Sequence, residues 1–452
     1  MLEIKLMDLA AVILAAGKGT RMNSSIPKVL HQIGGMPMLG HVLELTKSLN
    51  IQNPLVVVGH GSGTVNDFIK SYGISATCVN QEKQLGTGNA LKCAQNSLNT
   101  FDGKLIVLYG DVPFIQSSTI VSMLDQLEQG ADLSILGFNT PDPFNYGRLI
   151  IRSGNEVSEV VEEKDCSPAQ KKIEMCNAGI YCGSSKLIFS LLSKLTNQNA
   201  SHEFYLTDIV KLARSEGFKT CLVESTSFET RGINSRRDLA NAELYFQEQL
   251  REKALNNGVT LINPSTIYLS HDTVIGQDTV IQPNVIIGPS VQIGENVEIL
   301  SFSHLEGCTL AQGSKVGPFA RIRPGTTIEE NVKIGNFVEI KKSVFKKGAK
   351  ANHLSYIGDA LVGAQSNIGA GTVFCNYDGV SKHFTEIGEN AFIGSNSSLV
   401  APLKIGSNTL VGSGSVITKD VPNNALAISR PSQKNKKTLG KRIIERLISL
   451  KK

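Results

Sequence analysis

The sequence predicts two architectures joined end to end: an α/β half built on a mainly parallel sheet, then a left-handed parallel β-helix. Two patterns predict this. In the second half aliphatic residues recur every six positions: Ile275, Ile281, Ile287, Ile293 and Ile299; then Val316, Ile322, Ile328, Ile334 and Ile340; then Ile387, Ile393, Leu399, Ile405, Val411 and Ile417. In the first half short apolar runs alternate with helical patterns, and hexads are missing. A six-residue period marks a hexapeptide solenoid, in which three hexads close one triangular coil and stacked coils bury a continuous aliphatic column. Such coils wind left-handed, against the usual crossover rule. Gly often follows the aliphatic residue, as at Gly276, Gly294, Gly335 and Gly394. It is expected there at a tight corner of positive φ.

The ladder loses register between Ile299 and Val316, between Ile340 and Ile357, and between Ile368 and Ile387. Solenoid insertions emerge as loops, often on the binding face, so the breaks are expected to extrude loops. The last two hold the polar, basic and aromatic clusters of this half, Lys341 to Tyr356 and Cys375 to Gly379. His353 stands in the first of these, after a basic run and before Tyr356. An imidazole titrates near neutrality and suits proton removal from an attacking amine.

At 452 residues more than one domain is expected. The formal charge of +5 is local: the tail from Lys434 to Lys452 holds eight Lys/Arg and one Glu, leaving the remainder near −2. A basic tail invites a nucleic-acid or membrane reading, but a solvated helix end or disordered tail is the plainer one. Neither a nucleic-acid partner nor stable membrane insertion is expected, since no run approaches the ~18 apolar residues of a spanning helix. The eight Cys show no CxxC or zinc spacing and read as free thiols of a reducing compartment. Asp8 interrupts the apolar start, which reads as a short leader before a first strand. A cytoplasmic protein is expected.

In the first half, strands are expected at Ala11–Leu14, Leu55–Val58, Leu105–Leu108 and Leu133–Phe138. Helices are expected at about 37–49, 64–71, 88–98 and 117–129. In such a fold ligands sit at the carboxyl ends of the strands. Ala15-Ala16-Gly17-Lys18-Gly19-Thr20-Arg21-Met22 follows the first strand, and its small residues let backbone N–H groups approach phosphates. Gln84-Leu85-Gly86-Thr87-Gly88 is a second small-residue loop. Asp111, in Tyr109-Gly110-Asp111, stands at a strand end where a carboxylate can hold Mg2+. Arg236 to Asn257, with Leu239, Leu244, Phe246 and Leu250, reads as a connecting helix ended by Gly258.

Together the first loop, Pro27-Lys28, the Gln84–Gly88 loop and Tyr109-Gly110-Asp111 resemble sugar-phosphate nucleotidyltransferases, with their Rossmann-like nucleotidyltransferase domain. The second half adds Ala351-Asn352-His353-Leu354-Ser355-Tyr356, Asn367-Ile368-Gly369-Ala370, Cys375-Asn376-Tyr377-Asp378-Gly379 and Ala425 to Arg430. With these, residues 9–432 resemble the bacterial bifunctional N-acetylglucosamine-1-phosphate uridyltransferase/glucosamine-1-phosphate acetyltransferases, which make UDP-N-acetylglucosamine for peptidoglycan and, in Gram-negative bacteria, lipopolysaccharide. The resemblance implies substrates UTP, N-acetylglucosamine-1-phosphate, glucosamine-1-phosphate and acetyl-CoA, a Mg2+ cofactor and a homotrimer. It implies a uridyltransferase domain over 1–235, a linker helix over 236–258 and an acetyltransferase prism over 259–452.

Residue by residue, it implies that Leu14, Ala15, Ala16, Gly17, Arg21 and Lys28 bind the nucleotide and its phosphates, with Tyr109 and Gly110 beside them. Gln81, Gly86 and Thr87 would hold the uracil side. Gly147, Glu162 and Asn177 would contact N-acetylglucosamine, and Asp111 and Asn234 the metal. In the prism His353 would be the general base. Arg323, Lys341, Tyr356 and Asn367 would bind glucosamine-1-phosphate. Ala370, Asn376, Tyr377, Ser395, Ser413 and Arg430 would handle acetyl-CoA, Ser413 replacing the family's Ala. His202 and Glu203 carry no assigned chemistry. The runner-up is a nucleotidyltransferase for another sugar phosphate whose prism is only an oligomerisation scaffold; a scaffold has no need of His353, Tyr356, Asn376 and Tyr377. A regulatory subunit with a degenerate site is opposed by the intact loop, Lys28 and Asp111.

Overall fold

The computed structural model of the chain describes residues 9–451; the short leader expected before the first strand lies outside them. It contains two compact units, one ending at Phe246 and one beginning at Gln247.

The first unit is a twisted sheet of strands β1 (Leu9–Leu14), β2 (Leu55–Val58), β3 (Thr77–Asn80), β4 (Lys104–Tyr109), β5 (Leu133–Asn139), β6 (Arg148–Ile151), β7 (Val157–Val161), β8 (Met175–Ser184) and β9 (Thr220–Ser225). The order is β9-β5-β8-β4-β1-β2-β3, with the β6–β7 hairpin attached to β8. β1, β2, β3 and β4 run parallel, as do β5 and β9, while β8 enters antiparallel to both its neighbours. β1, β2 and β4 are apolar on both faces because helices cover both. α1 (Met38–Ser48), α2 (Ser62–Tyr72) and α4 (Ser117–Glu128) bury one layer; α3 (Thr87–Cys93), α5 (Ser185–Ser193) and α6 (Asp208–Ser215) bury the other.

α7 (Arg236–Asn256) ends at Gly258, whose φ is +82°. The boundary between the units falls inside α7. Of the apolar residues expected to pack, Leu244 is 62% exposed. Ala242 is buried with Ile33, Met38, Phe114 and Ile233 in the first unit. In the second unit the buried positions are Gln247, Arg251 and Ala254. The Gln247 amide exchanges two hydrogen bonds with the Leu269 backbone, at 2.7 and 2.9 Å, and so satisfies a buried polar group.

The second unit is the parallel β-helix. Fifteen of the sixteen ladder residues are buried and Ile275 is half-buried. Two expectations are corrected. Gly276, Gly294, Gly335 and Gly394 do not have positive φ; a Cβ there would strike the backbone of the next coil, as Gly276 would meet Gly294 at 2.6 Å. Close stacking, rather than a corner, demands the glycine. The left-handed corners fall three residues before the aliphatic position and are filled most often by Asn, as at Asn284, Asn296 and Asn408, and by other glycines, as at Gly313 and Gly371.

The first two register breaks are deletions rather than insertions. Ile299 pairs with Val316 and Ile340 with Ile357, 17 residues on, against 18 for Val316 and Ile334. At the second break, strands Glu339–Phe345 and Tyr356–Val362 run through a corner, at Lys342 and Asp359 of positive φ, and no loop leaves the prism. Only the third break is an insertion: Ile368 pairs with Ile393, 25 residues on, and the excess emerges around Asn376–Phe384.

Candidate active sites

In the first unit β1, β2 and β4 end on one edge of the sheet, and the loops leaving them surround a cleft of about 750 Å3. It is lined by Leu14, Ala15, Ala16, Gly17, Lys28, Gln81, Gly86, Thr87, Tyr109, Asp111, Gly147, Glu162, Asn177 and Asn234. Of the residues expected in this site, Arg21 and Gly110 do not line it. Arg21 is exposed. Gly110 lies beneath the floor, its N–H donating to the Leu14 carbonyl at 3.0 Å, where a Cβ would meet Val29 at 3.1 Å.

The loop positions are fixed locally. Ala15 N–H donates to the Val57 carbonyl (2.8 Å), and Gln84 Nε2 donates to the Ala16 carbonyl (2.8 Å). Gln81 is buried and donates to the Gly86 carbonyl (3.2 Å) and Asn89 Oδ1 (2.9 Å). Gly86 has φ +108°, and a Cβ there would meet the Phe204 carbonyl at 2.6 Å, so only glycine brings this backbone to the cleft.

The Lys28 ammonium is paired with the Asp111 carboxylate and donates to Asn234 Oδ1 at 3.0 Å. Carboxylate and amide oxygens therefore converge on one point in a part-buried floor. Asn234 is aimed by the start of α7: Ser235 Oγ accepts from Asp238 N–H (3.1 Å), and the Asp238 carboxylate accepts from the N–H groups of Ser235 (2.8 Å) and Asn234 (3.1 Å). This is a reciprocal capping box. The donor set fits a hard divalent cation that takes few protein ligands and completes its shell with water and phosphate. Among the described residues there is no all-protein cage of three or more His, Cys, Asp or Glu.

Elsewhere in the cleft, burial pushes the Glu162 carboxyl above its ordinary value, while a hydrogen bond from Thr207 Oγ1 at 3.0 Å opposes the shift and Asp208, Asp165 and Glu203 add to it. Asn177 Nδ2 donates to Tyr181 (2.9 Å) and its Oδ1 accepts from Gly179 N–H (3.0 Å). Burial raises the Tyr109 hydroxyl, keeping it neutral. Arg148, 1% exposed, pairs with Glu163 at 2.6 Å and donates to the Tyr146 carbonyl, so one guanidinium ties the Gly147 turn to the Glu162 strand end. Sequence reasoning missed Arg148 and Thr207; Glu203, which also lines the cleft, had no role.

In the second unit His353 ends strand Lys350–His353 with its ring exposed, and Nδ1 lies 2.8 Å from Asn336 Oδ1 of the coil before. An amide oxygen accepts only, so in the neutral ring Nδ1 carries the proton and Nε2 keeps its lone pair. The pairs Ile334–Ala351, Ala351–Ile368, Ile368–Ile393 and Ile393–Val411 stack one above another. Two positions after these lie Asn336, His353, Ala370, Ser395 and Ser413, so the register strings them into one column at about 4.8 Å per coil. Arg430, at the end of the column, donates to the Ser413 carbonyl. Ser413 offers that contact through backbone, so its side-chain identity does not enter it.

Beside the column, Arg323 pairs with Glu339 at 2.7 Å. Lys382 lies against Lys341 and holds its pKa below the lysine norm. Two like charges so close disfavour each other, and an anion between them would relieve that. Lys382 comes from the 25-residue coil, whose loop is held by Asp378: its carboxylate accepts from Val380 N–H (2.8 Å), Ser381 N–H (2.7 Å) and His383 Nε2 (2.6 Å). Tyr377 is exposed, its hydroxyl donating to the Gly379 carbonyl at 2.6 Å. Asn376 is buried and donates to Asp359 Oδ2 at 2.5 Å, and a Cβ on Gly358 would meet both it and the Tyr356 hydroxyl. Asn367 lies one coil above Lys350. Asn336, Glu339 and Lys382 were not found by sequence reasoning, which had no way to see contacts 16 or more residues apart.

Fold and sites together define a nucleotidyltransferase joined to an acyltransferase of the hexapeptide class. Residues 11–167 match the MobA-like NTP transferase domain, and residues 272–307, 307–342 and 384–419 match the bacterial transferase hexapeptide repeat. The chain is 50% identical over 441 residues to the bifunctional protein GlmU of Ruegeria sp. (strain TM1040), covering 98% of each. It is 48% identical over 439 residues to that of Paracoccus denitrificans (97% of each), and 46% identical over 439 residues to that of Zymomonas mobilis (97% of this chain, 98% of the relative). The chain belongs to the bifunctional GlmU family. It is a two-activity enzyme of UDP-N-acetylglucosamine synthesis, uridyltransferase and glucosamine-1-phosphate acetyltransferase. The scaffold-only reading of the prism is thereby set aside. Among the described residues no helix is long and apolar enough to cross a membrane.

Proposed function

We propose that the cleft of the first unit and the His353 column of the second are the two active sites, working in the cytoplasm on small-molecule substrates. The observation that carries the uridyltransfer assignment is the convergence of the Asp111 and Asn234 oxygens on the Lys28 ammonium, a cation position that Mg2+ would take as Lys28 turns to phosphate. Mg2+ held there would neutralise charge on UTP. The backbone of Leu14–Gly17, with Lys28, would cradle the phosphates, and Gln81, Gly86 and Thr87 would take the base edge. Gly147, Glu162 and Asn177 would orient N-acetylglucosamine so that its 1-phosphate oxygen attacks the α-phosphorus and pyrophosphate leaves. No covalent enzyme intermediate is needed, since positioning and charge stabilisation supply most of the catalysis in phosphoryl transfer. Exposed Arg21 would reach the triphosphate only if its loop closes over it.

In the prism, Arg323, Lys341 and Lys382 would take the sugar phosphate, with Tyr356 and Asn367 on the sugar. The thioester would lie along Ala370, Ser395 and Ser413, with Asn376, Tyr377 and Arg430 flanking it. His353 Nε2 would accept the amine proton as nitrogen attacks the thioester carbonyl and CoA leaves.

A homotrimer is supported by an exposed aromatic ladder. Phe302, Phe319 and Phe337 are each about half exposed. They stack at 4.9 and 5.2 Å on successive corners, each at positive φ. Leu354, 60% exposed, continues this corner immediately after His353. Bulky residues in that conformation cost about 1–3 kcal/mol each, and at these corners a neighbouring copy would bury them. The acetyl site would then be shared between copies. Mixing His353→Ala chains with Arg430→Ala chains should restore part of the CoA release, because some interfaces hold both intact residues. No rescue in mixed trimers of verified composition overturns the shared site.

A further inference from the structure

α8 (Leu439–Ser449) is an 11-residue helix with every residue exposed. At 100° per residue its side chains separate cleanly. Leu439, Ile443, Ile444, Leu447, Ile448 and Leu450 occupy one half of the circumference. Lys441, Arg442 and Arg446 lie on the other half, with Glu445 as the one acid. Lys434, Lys436 and Lys437 precede it and Lys451 and Lys452 follow. The eight residues from Pro431 to Thr438 are all exposed, a tether with a reach of roughly 26 Å.

We propose that α8 is an interfacial anchor that lays its aliphatic half into an anionic phospholipid surface. A helix of strong polar–apolar segregation with Lys and Arg flanking an aliphatic face is the form that lies in the plane of a headgroup layer. At about 16 Å long it is too short to span. The charge decides the occupant. The tail carries +7 while the rest of the chain is near −2, so the attraction to an anionic surface belongs to this segment alone. Nucleic acid would use the cations but leave six aliphatic side chains in water. A second copy of this chain presents the same positive tail and no compensating excess of acid. The inference does not depend on how either active site works.

The test is co-sedimentation of the full-length protein with phosphatidylcholine vesicles, with and without phosphatidylglycerol. Binding is expected only to the anionic vesicles, and should fall as salt rises. Each basic residue near such a surface contributes about fivefold in partition, so Lys441→Gln/Arg446→Gln should bind about 25-fold more weakly. Ile444→Asp/Leu447→Asp should abolish binding. Both variants should keep normal pyrophosphate and CoA release, showing that the catalytic units are intact. Equal binding to both vesicle types, or undiminished binding by both variants, overturns the proposal. So does an absence of binding by the unaltered protein. A fall in solution mass in the Asp variant, with vesicle binding unchanged, would also overturn it and assign the helix face to another copy.

Discussion

Asn336 offers the sharpest test of the proposal that His353 is the base. It carries no expected substrate contact and meets the site through the 2.8 Å hydrogen bond to Nδ1. Removing the acceptor in Asn336→Ala releases the ring to rotate and to take the other tautomer, whose Nε2 is protonated and cannot accept. A part-exposed hydrogen bond of this kind is worth about 0.5–1.5 kcal/mol, or about two- to tenfold in populated geometry. Deleting the base itself in His353→Ala should cost ~10²–10⁴-fold. The expected order in steady-state CoA release is therefore wild type, then Asn336→Ala, then His353→Ala. The loss in Asn336→Ala should fall on kcat, with KM for glucosamine-1-phosphate little changed. Asn336→Asp keeps an acceptor and should recover rate at high pH. Its negative charge favours the imidazolium, so the acidic limb of its pH–rate profile should move upward. Wild-type kcat in Asn336→Ala, or an unmoved limb in Asn336→Asp, refutes the positioning role.

Three other outcomes are expected. Asp111→Ala should abolish pyrophosphate release while sparing CoA release; normal uridyltransfer by that variant refutes the metal assignment. A chain ending at Asn256 should keep uridyltransfer and lose acetyl transfer, whereas one ending at residue 235 loses Leu239, Ala242 and Phe246 from the cluster around Phe114, a cost of about 3–5 kcal/mol by analogy with large-to-small core changes; equal thermal midpoints for the two would contradict this. Glu162→Gln should stabilise the protein at neutral pH. The carboxyl's folded pKa lies above its unfolded one, so its contribution is fully present at low pH and is lost as pH rises through the folded value. The gap in thermal midpoint should close on acidification below the ordinary value of 4.5, and a gap independent of pH would refute the burial argument.

What the sequence shows plainly is whatever repeats or is contiguous. The hexad ladder named its buried residues because a side chain's direction in a coil depends only on its offset. The first glycine-rich loop and Asp111 were legible because each follows a strand directly, and Lys28 because it stands in the Pro27-Lys28 motif. What was hidden depends on distance. Gln247 and Arg251 look like solvent positions on α7 until the backbone they satisfy is known. Arg148 reads as a hairpin charge, yet lies buried between Tyr146 and Glu163. Gly276, Gly294, Gly335 and Gly394 were found for the wrong reason, because composition cannot tell a positive φ from a close approach.

The coil lengths account for how the proposed acetyl site is assembled from a plain repeat. An uncompensated deletion in a strand period of two would turn every following side chain to the opposite face and remove His353 from the column. The 17-residue coils avoid this by taking the missing residue at corners: Lys342 and Asp359 adopt positive φ inside continuous strands, and the core pairs Ile340–Ile357 and Ala351–Ile368 stay in line. Those shortened coils bring Asn336 directly beneath His353 and Glu339 beneath Tyr356. The 25-residue coil does the reverse: Ile368 still meets Ile393, so the column continues to Ser395 and Ser413, and the extra residues leave the prism to carry Lys382 back against Lys341. Departures from the 18-residue coil thus bring Asn336 to His353 and Lys382 to Lys341, while the unbroken aliphatic core supplies the alignment.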